Sequence, residues 1–427
     1  MISADCVVAG CRQLLTCRGP VPKRKEALRD LGVIENGWVA SDAGTIVFVG
    51  TESEFRAQVR VAAGAEWIDG GGLVACPGFI DSHTHLPFAG NREREFGLRI
   101  QGWTYQQLAA AGMGIQTTVK ATRAASADEL RALCLRRLDD MLLTGTTTVE
   151  AKSGYGLNLE AEIKQLEVLR ELGPRHPVDI VPTFMGAHEV PPEFRDRRDA
   201  YIHLLIQSII PEVRRRNLAE FFDVFCEPGV FSLDETAALV RTAKEAGFKI
   251  KIHADEFVTL GGAELAAGLG AVSAEHLISI SEAGIQKLAA SGTAAILLPG
   301  VSFFLMMEKK APARRLVEAG AAVALASDFN PGSSHLSSML FVLQLGVFTL
   351  GLGVEEAVNA CTANAAYAID RHREVGTLEP GKKMDLLLLD IGDYVSLAYR
   401  LGPNPIRLVL KGGKVVVKDG RRVEAAR

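Results

Sequence analysis

The feature that most restricts this chain is an alternation. From about residue 73 to residue 375, short β-branched or apolar runs are separated by longer segments with helical periodicity. A chain written this way builds βα units and a parallel sheet. The strand candidates are Val74 to Ile80, Thr146 to Glu150, Asp179 to Met185, Phe222 to Phe225, Lys249 to His253, Ala271 to Glu275, Ala294 to Leu298 and Val323 to Ser327. Eight such runs predict an α/β fold closed into a (β/α)₈ TIM barrel rather than an open sheet. The helix expected over Leu159 to Glu171 shows the complementary pattern, with Ile163, Leu166 and Leu169 on one stripe and Gly173-Pro174 ending it.

The flanks follow a different period. Gly37 to Gly50 and Ile406 to Gly420 alternate like hairpins, with Gly or Asp at their turns. Neither flank can bury a core alone. The two chain ends are therefore expected to pair into one small β-sandwich-like domain, residues 1–72 with 376–427, joined across a catalytic barrel of residues 73–375. The segment from Phe88 to Ala125 is long for a βα connection and is interrupted by Gly97, Gly102, Gly112 and Gly114. Long barrel loops of this kind act as lids.

Composition removes several classes of function. The net charge of −4 gives no positive field for phosphate backbones or anionic lipid, so neither nucleic acid nor membrane is expected as a partner. The basic runs Lys23 to Lys25 and Arg214 to Arg216 read as solvated helix faces. Seven cysteines without a CxxC pair argue for reduced thiols and a cytoplasmic location. The first residues, MISADCVVAG, lack the charge and apolar core of a signal peptide. The longest apolar stretch, Phe341 to Val354, falls short of the roughly 20 residues a bilayer requires and reads as a buried helix.

The strongest local signal is Gly78-Phe79-Ile80-Asp81-Ser82-His83-Thr84-His85. On a strand, residues i and i+2 share a face, so both imidazoles can reach one metal ion. A single histidine there would more often be an ordinary hydrogen-bonded residue. Later strands also end on donors: His253 after IKI, His276 after SAE and Asp328 after ALAS. In a barrel those ends converge on one mouth. Three histidines and an aspartate suit zinc or iron and leave a position open for water, which is a catalytic rather than a structural set. Glu256 follows in HADE, where the strand must turn after His253 for both side chains to enter the pocket. It is assigned as general acid/base, with a surface carboxylate as the alternative. His276 is expected to act as a base or to stabilise the developing oxyanion, its alternative being a satisfied core histidine.

These residues in this order resemble the amidohydrolase superfamily. The segments PFAGNREREF (87–96), VEAKSGYGL (149–157), PTFMGAHEVP (182–191), HADEF (253–257) and SDFNPGSS (327–334) together resemble its imidazolonepropionase family, over nearly the whole chain. The resemblance implies hydrolysis of 4-imidazolone-5-propanoate to N-formimidoyl-L-glutamate in histidine degradation. It implies one divalent or trivalent metal per chain, zinc or iron, held by His83, His85, His253 and Asp328. It further implies substrate contacts from Arg92, Tyr155, His188, Glu256, Asn330, Gly332 and Ser333. Arg92 offers a fork of donors to a propionate carboxylate; pairing with Glu93 or Glu95 is its alternative. The glycines around Tyr155 and the loop of Asn330, Gly332 and Ser333 let backbone approach a ligand, though simple tight turns would carry the same residues.

Some relatives carry a carbamylated lysine that bridges two metals. Lys152 follows the strand ending at Glu150, whereas the next strand, ending near His188, is the place where such a residue is expected, which favours a single ion. The working mechanism passes the proton of an activated water toward His276 with Asp328, while Glu256 delivers one to the departing nitrogen. A purine or pyrimidine aminohydrolase shares the same donor pattern and would release ammonia. A non-catalytic barrel scaffold would have lost ligands that are all present here. Relatives commonly dimerise, so a homodimer stands as an alternative to the monomer.

Overall fold

A computed structural model describes residues 2–103, 107 and 111–423 of the chain. Five strands come first: β1 (Ile2–Leu15), β2 (Val33–Asp42), β3 (Thr45–Gly50), β4 (Val59–Asp69) and β5 (Val74–Pro77). Eight more follow, separated by helices: β6 (Phe79–Thr84), β7 (Thr146–Lys152), β8 (Asp179–Ala187), β9 (Phe221–Cys226), β10 (Lys249–Ala254), β11 (Ser273–His276), β12 (Ala294–Leu297) and β13 (Ala322–Leu325). The last four are β14 (Leu386–Leu389), β15 (Ile406–Lys411), β16 (Lys414–Lys418) and β17 (Arg421–Arg422).

Strands β6 to β13 pair in sequence order, all parallel. The ends meet where Asp328 N–H donates to the His83 carbonyl at 3.1 Å and His85 N–H to the Phe329 carbonyl at 2.9 Å. The eight-fold barrel expected from the alternation is therefore present, and its closing seam carries three of the predicted donors. Its strands are almost wholly buried, as a parallel sheet covered by helices must be.

One expected strand is divided. Val74 to Ile80 does not run as a single barrel strand, because Gly78 switches the backbone from one sheet to the other. Gly78 N–H bonds to the Asp385 carbonyl, and the next amide, Phe79, bonds to the Gly145 carbonyl. Residues 74–77 thereby join the sheet built by the chain ends, whose path is β17-β16-β15-β14-β5-β1-β2-β3 with β4 paired to β1. The two predicted hairpins are β2-β3 and β15-β16. β1 carries a register shift between Val8 and Cys11 around Gly10, at φ 66°, and changes partner there from β4 to β5. Period-two burial gives this sheet two apolar faces: Cys6, Val8, Leu14, Leu386 and Leu388 line one, and Val7, Ala9, Trp38 and Phe48 the other, against which Phe55 of the helix Glu52–Gln58 packs.

In the Lys23–Lys25 run only Lys25 is an exposed helix residue; Lys23 and Arg24 do not form a solvated helix face. Lys23 is buried, its Nζ donating to the carbonyls of Arg18 and Asp30 at 3.0 and 2.8 Å. Arg24 donates to the carbonyls of Ala289, Ser291 and Gly320. The run thus satisfies loop and helix-end acceptors and ties the terminal segment to the barrel. The Arg214–Arg216 run behaves as expected for Arg215 and Arg216, which pair with Glu212 on the surface. The apolar stretch near 341–354 forms a helix over Met339–Leu350, mostly buried although Phe348 is exposed. Among the described residues no helix is long and apolar enough to cross a membrane. All seven cysteines are free and buried.

Gly145 sits where the terminal sheet packs on the start of β7. It adopts φ 91°, and an added Cβ would lie 2.7 Å from Ile406 Cδ1 and 2.8 Å from Leu387 Cδ1. Gly145→Ala combines left-handed strain with overpacking. It is expected to cost about 2 kcal/mol or more, read as a lower midpoint in urea unfolding; an unchanged midpoint would show that the join is compliant.

Candidate metal centre

The polar end of the barrel begins one layer below its mouth. Alternate residues of neighbouring strands bring together Glu150 and Lys152 of β7, Asp223 of β9, Lys251 and His253 of β10, and Glu275 of β11, all buried. Asp223 carboxylate oxygens stand 3.1 Å from His253 Nδ1, and Glu275 Oε2 stands 2.6 Å from His83 Nδ1. The Asp223 contact is a hydrogen bond that makes His253 Nδ1 a donor and directs its Nε2 lone pair the other way, while the Glu275 carboxylate faces His83 Nδ1 as an ion-pair contact. His253 Nε2 has no hydrogen-bond partner.

His83, at the end of β6, and His85, just beyond it, point Nε2 at the same atom, Asp328 Oδ1, at 3.2 and 3.3 Å. Two donors bound tetrahedrally to one ion at the usual 2.0–2.1 Å lie about 3.3 Å apart. The predicted ligands do gather: His83, His85 and His253 form one potential metal-holding trio, and His83, His276 and Asp328 another that shares His83. Despite its burial, His83 is pushed up to about 9 by Glu275 and Asp328, so both ring nitrogens face carboxylate and the site demands positive charge. Burial holds His85 down at about 4 and His253 well below the ordinary histidine range. Neutral imidazoles at His85 and His253 and an ionised Asp328 are the forms a cation requires, and between its carboxylates His83 would exchange its proton for the ion, so the residues fit a divalent ion.

The proton-handling groups lie off the strand parity and are brought in by left-handed residues. Alternation places Glu275 in the interior and would send His276 outward, but His276 takes φ 72°. β10 ends at Ala254, and Asp255, at φ 50°, turns the chain so that Glu256 comes within 3.5 Å of His276 Nδ1. Two carboxylates hold that turn. Asp255 accepts from the amides of Leu260, Gly261, Gly262 and Ala263, and Glu227 from those of Glu256, Phe257 and Val258. Burial, with Asp328 and Glu227 nearby, holds the Glu256 carboxyl well above its usual range, while burial keeps His276 neutral. Asp328, itself at φ 51°, stays ionised against its burial through His83 and His85.

The remaining predicted residues divide into two groups. Tyr155 and His188 stand beside the centre, His188 stacked on His85 at 4.9 Å and Tyr155 at 5.8 Å from the same ring. Burial and His85 hold His188 down at about 3, and its Nδ1 donates to the Gly154 carbonyl, which leaves Nε2 as an acceptor. Asn330 and Ser333 are tied to Asp328 instead of standing free. The Asn330 amide donates to Asp328 Oδ2 at 3.0 Å and to Ser333 Oγ at 2.8 Å, and its oxygen accepts from the amides of Gly332 and Ser333. Arg92 also differs from the expected open fork: Nε and Nη2 are taken by Glu95, the alternative weighed from sequence. Nη1 lies against Gly332, where any Cβ would overlap it.

The expected lid includes helices at Glu93–Ile100 and Ile115–Ala124, and Arg99 reaches the Gly332 carbonyl at 3.3 Å. Its residues 104–106 and 108–110 lie outside the described residues. Sequence reasoning gave no role to Asp223, Glu227, Lys251 or Glu275. The available signal was a charged residue inside a strand that a parallel sheet should bury, as in FFDVF and KIKIH.

Residues 74–416 match the amidohydrolase family. Imidazolonepropionase of Geobacillus kaustophilus is 52% identical over 417 residues, covering 97% of this chain and 98% of that protein. The imidazolonepropionase of Symbiobacterium thermophilum is 49% identical over 422 residues, covering 99% of each. Among solved structures, a zinc-bound adenosine deaminase from Xanthomonas campestris superposes with a TM-score of 0.72 at 17% identity, covering 100% of this chain and 95% of that one. A triazine hydrolase variant superposes at 0.74, also at 17% identity, covering 99% and 96%. At that identity these two structures speak for the fold alone.

Removing the carboxylate that gathers the three amides of residues 256–258 should loosen that turn without disturbing the cation donors. Glu227→Ala is expected to lose amide hydrogen-exchange protection at Glu256 to Val258 while its metal content stays that of the parent. Unchanged protection would mean that Asp255 holds the turn alone.

Proposed function

The chain belongs to the imidazolonepropionases of the amidohydrolase family, a premise from which we propose how its residues open the ring of 4-imidazolone-5-propanoate to give N-formimidoyl-L-glutamate in histidine degradation. The family is metal-dependent, and the chain is a hydrolase of a cyclic C–N bond. The observation that carries the residue assignment is the meeting of His83 Nε2 and His85 Nε2 on one Asp328 oxygen, beside an unpartnered His253 Nε2.

His83, His85, His253 and Asp328 would hold one cation, zinc or iron. Such an ion supplies Lewis acidity, lowering the pKa of water at the site from 15.7 to about 7. His276, neutral and beside the site, takes the proton as water adds to the ring carbonyl carbon. Asp328 stabilises the charge that His276 then carries. Glu256, protonated by its surroundings, donates to the ring nitrogen as the C–N bond breaks. The freed carboxylate can recover a proton from His276, 3.5 Å away.

Arg92 Nη1 and the Tyr155 hydroxyl are assigned to the propionate, with His188 Nε2 as an acceptor for a ring N–H. The backbone of Gly332 and Ser333 would border the ligand, while Asn330 acts by fixing Asp328. A water-activating centre of this kind also serves deamination, so product identity decides between the two reactions. Ring opening yields formimidoylglutamate without ammonia, whereas stoichiometric ammonia from a purine or pyrimidine would favour the deaminase.

Glu256→Gln is expected to lower kcat by about 10²–10⁴ with metal content and KM near those of the parent; full turnover would remove its role as acid. Gly332→Ala, by displacing Arg92, is expected to raise KM for imidazolonepropionate at least tenfold with little loss of metal. An unchanged KM would place the propionate elsewhere.

A further inference from the structure

The third potential metal-holding trio, Asp223, His253 and Glu275, lies beneath the first two and already has a cation among its donors. Lys152 Nζ, fully buried, stands 2.8 Å from Glu150 Oε1, 2.8 Å from Asp223 Oδ2 and 3.2 Å from Glu275 Oε2. Lys251 Nζ joins Glu275 from the other side at 2.8 Å. Asp223 and Glu275 are the two carboxylates that face Nδ1 of His253 and His83.

We propose that Lys152 is a positioning residue whose ammonium stands where a second metal would sit, bridging Asp223 and Glu275 so that His253 and His83 present Nε2 to a single cation. The proposal rests on the assignment of those histidines as ligands. Its logic is charge and direction together. Glu150, Asp223, Glu275 and Asp328 bring four negative charges, and Lys152 with Lys251 brings two positive ones, so one divalent cation at the mouth makes the cluster neutral. A second divalent ion would leave it with an excess of two positive charges. Carbamylation of Lys152 would instead place a new anion among three carboxylates, which excludes the bridging role that modified lysines play in two-metal sites.

Direction follows from the same contacts. Without the ammonium, Asp223 and Glu275 would repel across the space it fills, and each could rotate away from the imidazole it orients. Outer partners of metal-ligating histidines set ring orientation and basicity, and losing one costs about 10–100-fold in metal affinity.

The test uses the full chain loaded with zinc, and separately with cobalt, as wild type, Lys152→Met and Glu150→Gln/Lys152→Met. The double variant removes one carboxylate together with the ammonium and so keeps the net charge. Zinc affinity is measured by competition with a chromophoric chelator, and ligand geometry by the visible spectrum of the cobalt form. The expected result is one ion per wild-type chain, and zinc held about 10–100-fold more weakly in both variants with displaced cobalt bands. A folded variant that binds zinc within twofold of wild type and has an unshifted cobalt spectrum overturns the proposal. Failure of both variants to fold overturns it as well, making Lys152 a requirement of folding. A wild-type chain that takes up neither ion would instead sink the ligand assignment, and this proposal with it.

Discussion

Charge inside the barrel is the constraint on which the rest of the structure depends. Barrels of this class normally fill their interiors with branched apolar side chains. Here Glu150, Lys152, Asp223, Lys251 and Glu275 occupy that space with no solvent exposure. Removing an ion from water costs several kcal/mol even after relaxation, and the loss is recovered only when opposite charges meet in good geometry. No member of the set can therefore be placed independently. Each strand must present its charged residue at the height where another strand presents the opposite sign across the interior, so the register of β7, β9, β10 and β11 and the electrostatics of the centre are one condition.

That condition explains why the mouth tolerates strain. Asp255, His276, Leu277 and Asp328 all take positive φ without being glycine, a conformation that costs of order 1–3 kcal/mol per residue and persists only where the surroundings over-determine it. Strand alternation delivers one face of each strand to the interior, and that face is used up by the charged layer and the histidines above it. Groups needed beside them must come from the opposite parity, and a single left-handed residue is the shortest way to bring them back. The Asp255 and Glu227 carboxylates, with seven amides between them, stabilise one such return.

What the sequence discloses follows the same division. The barrel was legible because βα alternation is long and repeated. The candidate ligand positions were legible because His83, His85, His253 and Asp328 fall at or just beyond the ends of predicted strands. Parity alone required a turn after His253 only if Glu256 was to enter the pocket, and left a surface carboxylate as the alternative. The break at Gly78 was not legible, since VACPGFI reads as one apolar strand and nothing local reports that its two halves pair with different sheets. Lys23 departs from its expected place for a related reason: a basic run looks solvated unless the carbonyls it caps, such as that of Asp30, are known to lie around it. The fork of Arg92 was also undecidable, because Glu95 at i+3 is a sufficient partner whether or not a substrate carboxylate is near.

Strand ends and loops thus carry different parts of the function. The residues that can hold a cation lie at the ends of β6 and β10 and at the β6–β13 seam, positions fixed by barrel closure. Arg92, Tyr155, His188 and the Asn330–Ser333 turn all lie in connections after the strands, where sequence can change without altering the charged layer. Solved barrels that share this fold at 17% identity can therefore have the same architecture while nothing about their ligands transfers. The loops after β6 and β13, which meet at the closing seam, pack on one another. The approach of Arg92 to Gly332 is the tightest such contact described, since even a methyl group there has no room. A glycine at that point lets the arginine lie against the backbone of the loop that also fixes Asp328, so the placement of the Arg92 guanidinium and of the Asp328 carboxylate depends on a few bonds of a single turn.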